Sequence, residues 1–365
     1  MNTVLILAIV LSVLILVHEL GHFAVAKLFG IGVEEFGFGF PPRIFGIKRG
    51  ETTYSVNWIP LGGFVRIRGE NGSEPDDPRG FAGKRPWQRA AVLCAGVFMN
   101  LVLAWALLTV GYAVGLPAAV DDLPAYASIS QDNIQVMSVL PGSAAESVGL
   151  QAGDVILSLD GRKPESVEWF REYTGQREGQ EIAVTYGRDQ ETVAANLVPQ
   201  LVPETERAGF GVAIIQTGIV SYPVWLAPIQ AAGTVGYFFQ EILSAFGGVI
   251  RNLALGQPVG VELSGPIGIA VITAEVAQMG FLYLLQFAAL LSVNLAVINI
   301  LPFPALDGGR LLFLAIETVR RRAVSPKVEA MVHNVGFAIL MILILLVTYG
   351  DIVHLGDRIG QVFGG

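Results

Sequence analysis

A chain of 365 residues that is 53% hydrophobic and only 15% charged, with a mean hydropathy of +0.58, is too apolar for an ordinary water-soluble domain and reads as a membrane protein. The formal charge of -8 leaves no nucleic-acid footprint, and a single cysteine, Cys94, excludes an intramolecular disulfide. Charge is unevenly spread: residues 27–89 carry ten Lys/Arg and 310–327 five more, whereas 115–280 holds seven against eighteen Asp/Glu. The basic stretches are the expected cytoplasmic loops, and the acidic stretch is expected on the outer side.

The first apolar run, about residues 4–26, is long enough to span a bilayer. It lacks a basic n-region and a small-residue cleavage site, so it reads as retained rather than as a secretory signal, with its N-terminus outside. It carries His18-Glu19-Leu20-Gly21-His22. Residues four apart share a helix face, so both imidazoles can hold one zinc ion while Glu19 works on water. At 1.5 Å per residue the histidines lie roughly 20–30 Å from the outer end of the helix, toward the cytoplasmic side. The bland reading is a pair of surface histidines; a carboxylate at membrane depth, costly without a metal or partners, argues against it.

In the loop 31–70, Gly37-Phe38-Gly39-Phe40 and the segment from Tyr54 to Ile67 read as paired strands with glycine punctuation, a membrane-associated β-hairpin. An unpaired edge there could hold an extended substrate by strand addition, exposing a peptide bond that helical hydrogen bonding would hinder. The second span is expected over about 90–114, with Cys94 a small packed residue rather than a ligand. Residues about 127–202 alternate as short strands around a helix at Glu165–Tyr173. With Pro141-Gly142-Ser143-Ala144-Ala145 and Gly149-Leu150-Gln151-Ala152-Gly153-Asp154 they resemble a PDZ domain, without an evident Gly-Leu-Gly-Phe carboxylate loop. A size filter that admits only trimmed substrates is the expected role. Residues 219–280, with Trp225, Tyr237, Phe238 and Phe239, suggest a membrane-surface helix, and a fifth span over about 223–250 would invert the topology after it.

The third and fourth spans are expected over about 281–301 and 333–350. A catalytic zinc takes three protein ligands, so two histidines leave one to find. Asp307 follows Asn294, Asn299 and the Pro302-Phe303-Pro304 break and precedes Gly308-Gly309. Prolines interrupt helical bonding and glycines allow close backbone approach, an irregularity tolerated at membrane depth where it lines a cavity. Asp307 is the favoured third ligand and His333 the alternative; His354 is the one remaining histidine. Asn299 is a candidate to orient substrate or stabilise the oxyanion.

The pentad in the first span, the stretch Asn299-Ile300-Leu301-Pro302-Phe303-Pro304-Ala305-Leu306-Asp307-Gly308-Gly309-Arg310 and the intervening PDZ-like region together resemble the site-2 protease family of zinc intramembrane metalloproteases, closest to its bacterial envelope-stress branch. The resemblance implies that His18, His22 and Asp307 bind zinc, that Glu19 is the general acid/base, and that the substrates are single-pass membrane proteins such as anti-sigma factors already trimmed by an upstream site-1-type protease. The expected fold is a multi-pass α-helical membrane protein of about four transmembrane helices with a membrane-associated β-hairpin region and one extracytoplasmic PDZ-like α+β domain, in a bacterial inner membrane. Its expected parts are 1–114, with the zinc helix and hairpin; 115–202, PDZ-like with a core over 127–202; 203–280, a membrane-surface linker; and 281–365, the second transmembrane pair. The rival readings are a catalytically silent scaffold and a metal carrier. A scaffold has no use for Glu19, and a carrier needs a chain of ligand clusters where the sequence offers one.

Overall fold

The computed structural model describes residues 3–70, 77–120, 123–124, 126–188, 191–202, 207–257, 265–322 and 324–363, which form two compact units, one of residues 1–110 with 228–365 and one of residues 111–227.

The first unit opens with α1 (Thr3–Leu28), then β1 (Val33–Arg49), β2 (Thr52–Ile67) and α2 (Pro86–Val114), whose last residues enter the other unit. The antiparallel β1–β2 sheet is folded on itself. Phe36 pairs with both Tyr54 and Val65, so the start of β1 lies between the two halves of β2, and Lys48 pairs with Thr53 beyond. The second half of β2 is therefore an edge. Ser12 of α1 holds the bend in β2, donating to the Pro60 carbonyl at 2.7 Å and accepting from Gly62 N–H at 3.3 Å. Ser12 and Glu19 are two turns apart on one helix face, so the same face that grips the bend also meets the edge strand. Inside the sheet the buried Glu35 accepts from Ser55 Oγ at 2.7 Å and Arg43 Nη2 at 2.6 Å. Burial alone would raise its pKa, but the Ser55 hydroxyl and Arg43 guanidinium outweigh that and hold the carboxyl below its usual range.

The second unit contains β3 (Leu116–Ala119), β4 (Ser128–Val139), α3 (Ala144–Ser147), β5 (Val155–Leu159), α4 (Val167–Gly175), β6 (Ile182–Arg188), β7 (Glu191–Leu197), β8 (Gln200–Val202), β9 (Arg207–Gly209) and β10 (Val212–Ser221). Six strands form one antiparallel sheet in the order β3-β10-β4-β5-β6-β7, and β8 pairs with β9. Ser166 caps α4 by accepting from Trp169 N–H at 3.1 Å, and Val167, Phe170 and Thr174 form its buried face. Phe170 joins Ile134, Val136, Ile156, Leu159 and Ile182 in the core. The sheet reaches further than the expected limit at 202: β10 pairs with β3 and β4, so residues up to 221 complete it.

The chain re-enters the first unit through α5 (Ala227–Ala254), α6 (Pro266–Met279), α7 (Phe281–Ile300), α8 (Asp307–Arg320) and α9 (Pro326–Phe363). Among the described residues, four helices are long and apolar enough to cross a membrane: Val4–Leu28, Pro86–Val114, Phe281–Ile300 and Pro326–Val353. They match the four expected segments to within a few residues, except that the last helix begins earlier. The residues expected to form a surface linker over 203–280 take two forms in this unit. In α5, Ile229, Tyr237, Ile250 and Leu253 are exposed, whereas α6 buries Gly268, Ala270, Val271, Thr273 and Ala274. Asp351 of α9 accepts from the Gly265 and Gly268 N–H groups at 3.1 and 2.8 Å and so caps α6 from another helix.

Candidate metal centre

His18 and His22 are one turn apart on α1, each 6% exposed. Asp307 reaches them from the first position of α8. Its Oδ2 is 3.0 Å from His18 Nε2 and 3.2 Å from His22 Nε2, and the two Nε2 atoms are 3.1 Å apart. Among the described residues this is the one group of three or more His, Cys, Asp or Glu whose ligand atoms converge, all within 4.8 Å of one another.

The helices can close on this point for local reasons. Gly96 of α2 faces the histidines, and a Cβ there would stand 2.3 Å from His22 Nε2 and 2.7 Å from His18 Nε2. After α7 the chain turns through Leu301–Leu306, with Ala305 at φ 80, a left-handed conformation that costs an alanine about 1 kcal/mol or more. A Cβ at Gly308 would meet the Leu301 carbonyl oxygen at 2.2 Å, so only glycine allows α8 to start this close to the end of α7. His333 Nδ1 accepts from Ala305 N–H at 2.8 Å and so supports the turn; it does not join the cluster. The side chain of His354 is not among those described. Asn299, the next-to-last residue of α7, is partly exposed and does not line the cleft beside the cluster.

That cleft has a volume of about 250 Å³ and is lined by Glu19, His22, Phe64, Val65, Asp307 and Arg310, among others. Glu19 Oε2 accepts from Val65 N–H at 3.1 Å, so the edge of β2 lies beside the carboxylate. Arg310, one turn after Asp307, is paired with Glu70. Sequence reasoning did not single out Gly96, Val65, Arg310 or Asn100, the last of which contacts His18. For Asn100 a signal was available: an amide amid apolar residues in a 29-residue helix.

The three ligand atoms suit a zinc ion. Tetrahedral coordination at about 2.0–2.1 Å sets neighbouring ligands about 3.3 Å apart, close to the separations found here. His22 Nδ1 lies 2.8 Å from the Val92 carbonyl oxygen, which can only accept. The neutral ring therefore carries its proton on Nδ1 and turns a lone pair on Nε2 toward Asp307, and two facing acceptors repel unless a cation lies between them.

The second unit has a separate groove of about 640 Å³ between α4 and the start of β10, lined by Phe170, Arg171, Thr174 and the run Gly209-Phe210-Gly211-Val212. That run has the Gly-apolar-Gly-apolar pattern of a carboxylate loop. It lies seven residues beyond the expected end of the domain, where a search confined to 127–202 does not reach.

The family model described as Peptidase family M50 matches residues 6–343. A protein of Clostridium perfringens is 36% identical over 345 residues, covering 94% of this chain and 96% of its own length. The zinc metalloprotease RasP of Oceanobacillus iheyensis is 30% identical over 440 residues, covering 97% of this chain and all of that one. Among solved structures, the PDZ domain of an SdrC-like protein from Listeria monocytogenes is 25% identical, with a TM-score of 0.22, and covers 24% of this chain and 92% of its own.

Proposed function

This chain belongs to peptidase family M50 and is a zinc metalloprotease, and we propose that it cleaves single-pass membrane proteins within their transmembrane segments, anti-sigma factors already trimmed outside being the substrate class that suits it. The observation that carries this reading is the position of His18, Glu19 and His22 inside an apolar helix long enough to cross a bilayer, with Asp307 closing on them. The charge distribution supports a bacterial inner-membrane topology with residues 27–89 and 310–327 in the cytoplasm and the second unit outside.

His18, His22 and Asp307 hold the zinc in this reading, which when bound supplies Lewis acidity to the scissile carbonyl and lowers the pKa of water toward neutrality. Glu19 takes the proton of the attacking water and passes it to the leaving nitrogen. The second half of β2 receives the substrate as an added strand, which removes the helical hydrogen bonds that would shield the peptide bond. Strand addition requires Val65 N–H to exchange Glu19 for a substrate carbonyl, which releases the carboxylate for water. Asn299 does not line the cleft, and the substrate-orienting role assigned to it requires a substrate that extends beyond the cleft.

The test is to reconstitute the purified protein in vesicles with candidate single-pass segments and map the cut by mass spectrometry. Cleavage inside the apolar segment, absent in a zinc-loaded Glu19→Gln protein, is expected. Cuts confined to water-exposed flanks, or turnover by Glu19→Gln, would overturn the reading.

A further inference from the structure

Each imidazole of the cluster has a second nitrogen, and its partner decides which nitrogen is free for a metal. For His22 the Val92 carbonyl settles this. For His18 the partner at Nδ1, 3.1 Å away, is the side-chain amide of Asn100, a residue with no exposed surface one turn after Gly96 on α2. The Asn100 backbone carbonyl accepts from Ser292 Oγ of α7 at 2.8 Å, so the residue is anchored to a second helix.

An amide can donate or accept, and which end faces an imidazole follows from the hydrogen-bond network. With Nδ2 toward His18, Oδ1 is buried without a partner, and with the amide turned over Nδ2 takes that place, so the choice rests on the His18 tautomer. A donating amide would also place the His18 proton on Nε2, aimed at Asp307 where the metal belongs. With the amide turned over, Oδ1 accepts from Nδ1–H and Nε2 keeps its lone pair. Metal-bound histidines normally donate their other N–H to an acceptor, and losing that acceptor typically costs about 10- to 100-fold in metal affinity.

We propose that Asn100 is a positioning residue of the metal centre: its amide oxygen accepts the Nδ1 proton of His18 and fixes the tautomer and ring plane that present Nε2 to zinc. This rests on the assignment of His18, His22 and Asp307 as ligands. The competing role is that of a polar group that packs helices together, which would affect folding and leave metal affinity alone.

The experiment measures zinc affinity of the full-length protein by competition with a chromophoric chelator, and the visible spectrum of its cobalt form, for the parent, Asn100→Leu and Asn100→Asp. Asn100→Leu is expected to bind zinc about 10- to 100-fold more weakly with a shifted cobalt spectrum, while Asn100→Asp, which accepts but cannot donate, keeps the parent's affinity. Parent-like affinity and spectrum in Asn100→Leu overturn the proposal. So does a loss of affinity in folded Asn100→Asp equal to that in Asn100→Leu, and if Asn100→Leu fails to fold, Asn100→Asp decides alone. A parent protein that binds no zinc would instead refute the ligand assignment beneath it.

Discussion

Each unit withdraws an aspartate from solvent, Asp154 fully and Asp307 in large part, and the two are treated differently. In the second unit Asp154, 2% exposed, receives Arg188 Nε on Oδ1 at 2.7 Å, and on Oδ2 it receives Arg188 Nη2 at 2.6 Å and Gln151 N–H at 2.9 Å. Both oxygens are satisfied and the charge is neutralised, so nothing is left over to bind. In the first unit Asp307 meets two imidazoles whose other nitrogens already have partners, so lone pairs face one another. Burial of charge does not by itself mark a site; convergence of acceptors with no donor between them does.

The largest expected effect is at Asp307. Asp307→Ala should abolish cleavage and empty the protein of zinc, measured by metal analysis of purified protein. If zinc stays stoichiometric while His333→Ala loses it, the third ligand is His333 and the contrast with Asp154 fails. Gly96→Ala comes next, because its Cβ would stand 2.3 Å from His22 Nε2. Either the histidine or the backbone must move, and zinc affinity should fall by about tenfold or more, on the scale of a disturbed ligand orientation; an unchanged affinity would show that α2 yields without cost.

Asp154→Ala sharpens the comparison from the other side. It leaves Arg188 without its carboxylate, and since that guanidinium is about 30% exposed the loss should be roughly 2–3 kcal/mol, below the value for a fully buried pair. Limited proteolysis should detect the weakened second unit while zinc content and cleavage of a trimmed substrate stay at parent level. A fall in zinc content would mean that the two clusters are not independent.

The smallest expected effect on chemistry comes from removing the second unit. Under the filter hypothesis the deleted protein cleaves the trimmed substrate as before and now also cleaves the untrimmed one. Because β3 and β10 pair, the deletion has to run from 116 to 221; removing only 127–202 would strand both of them. Loss of cleavage of the trimmed form with zinc retained would favour a recruiting role, with the groove at Gly209–Val212 as the place to test.

What the sequence determined by itself was what local geometry repeats. Two histidines four apart must share a helix face, a run of about 20 apolar residues must read as a possible span, and prolines followed by paired glycines must break a helix before Asp307. Most of β2 was legible for the same reason, but β1 only at Gly37–Phe40, and their folding into a sheet in which β1 pairs twice was not. Tertiary structure decided everything that depends on how one helix is rotated against another. Asn100 lies 82 residues from His18, and Val65 lies 46 from Glu19. No periodicity carries across a loop, so which residue of α2 meets which residue of α1 is set by where glycines let the backbones approach, and that is settled only when all the helices are packed together.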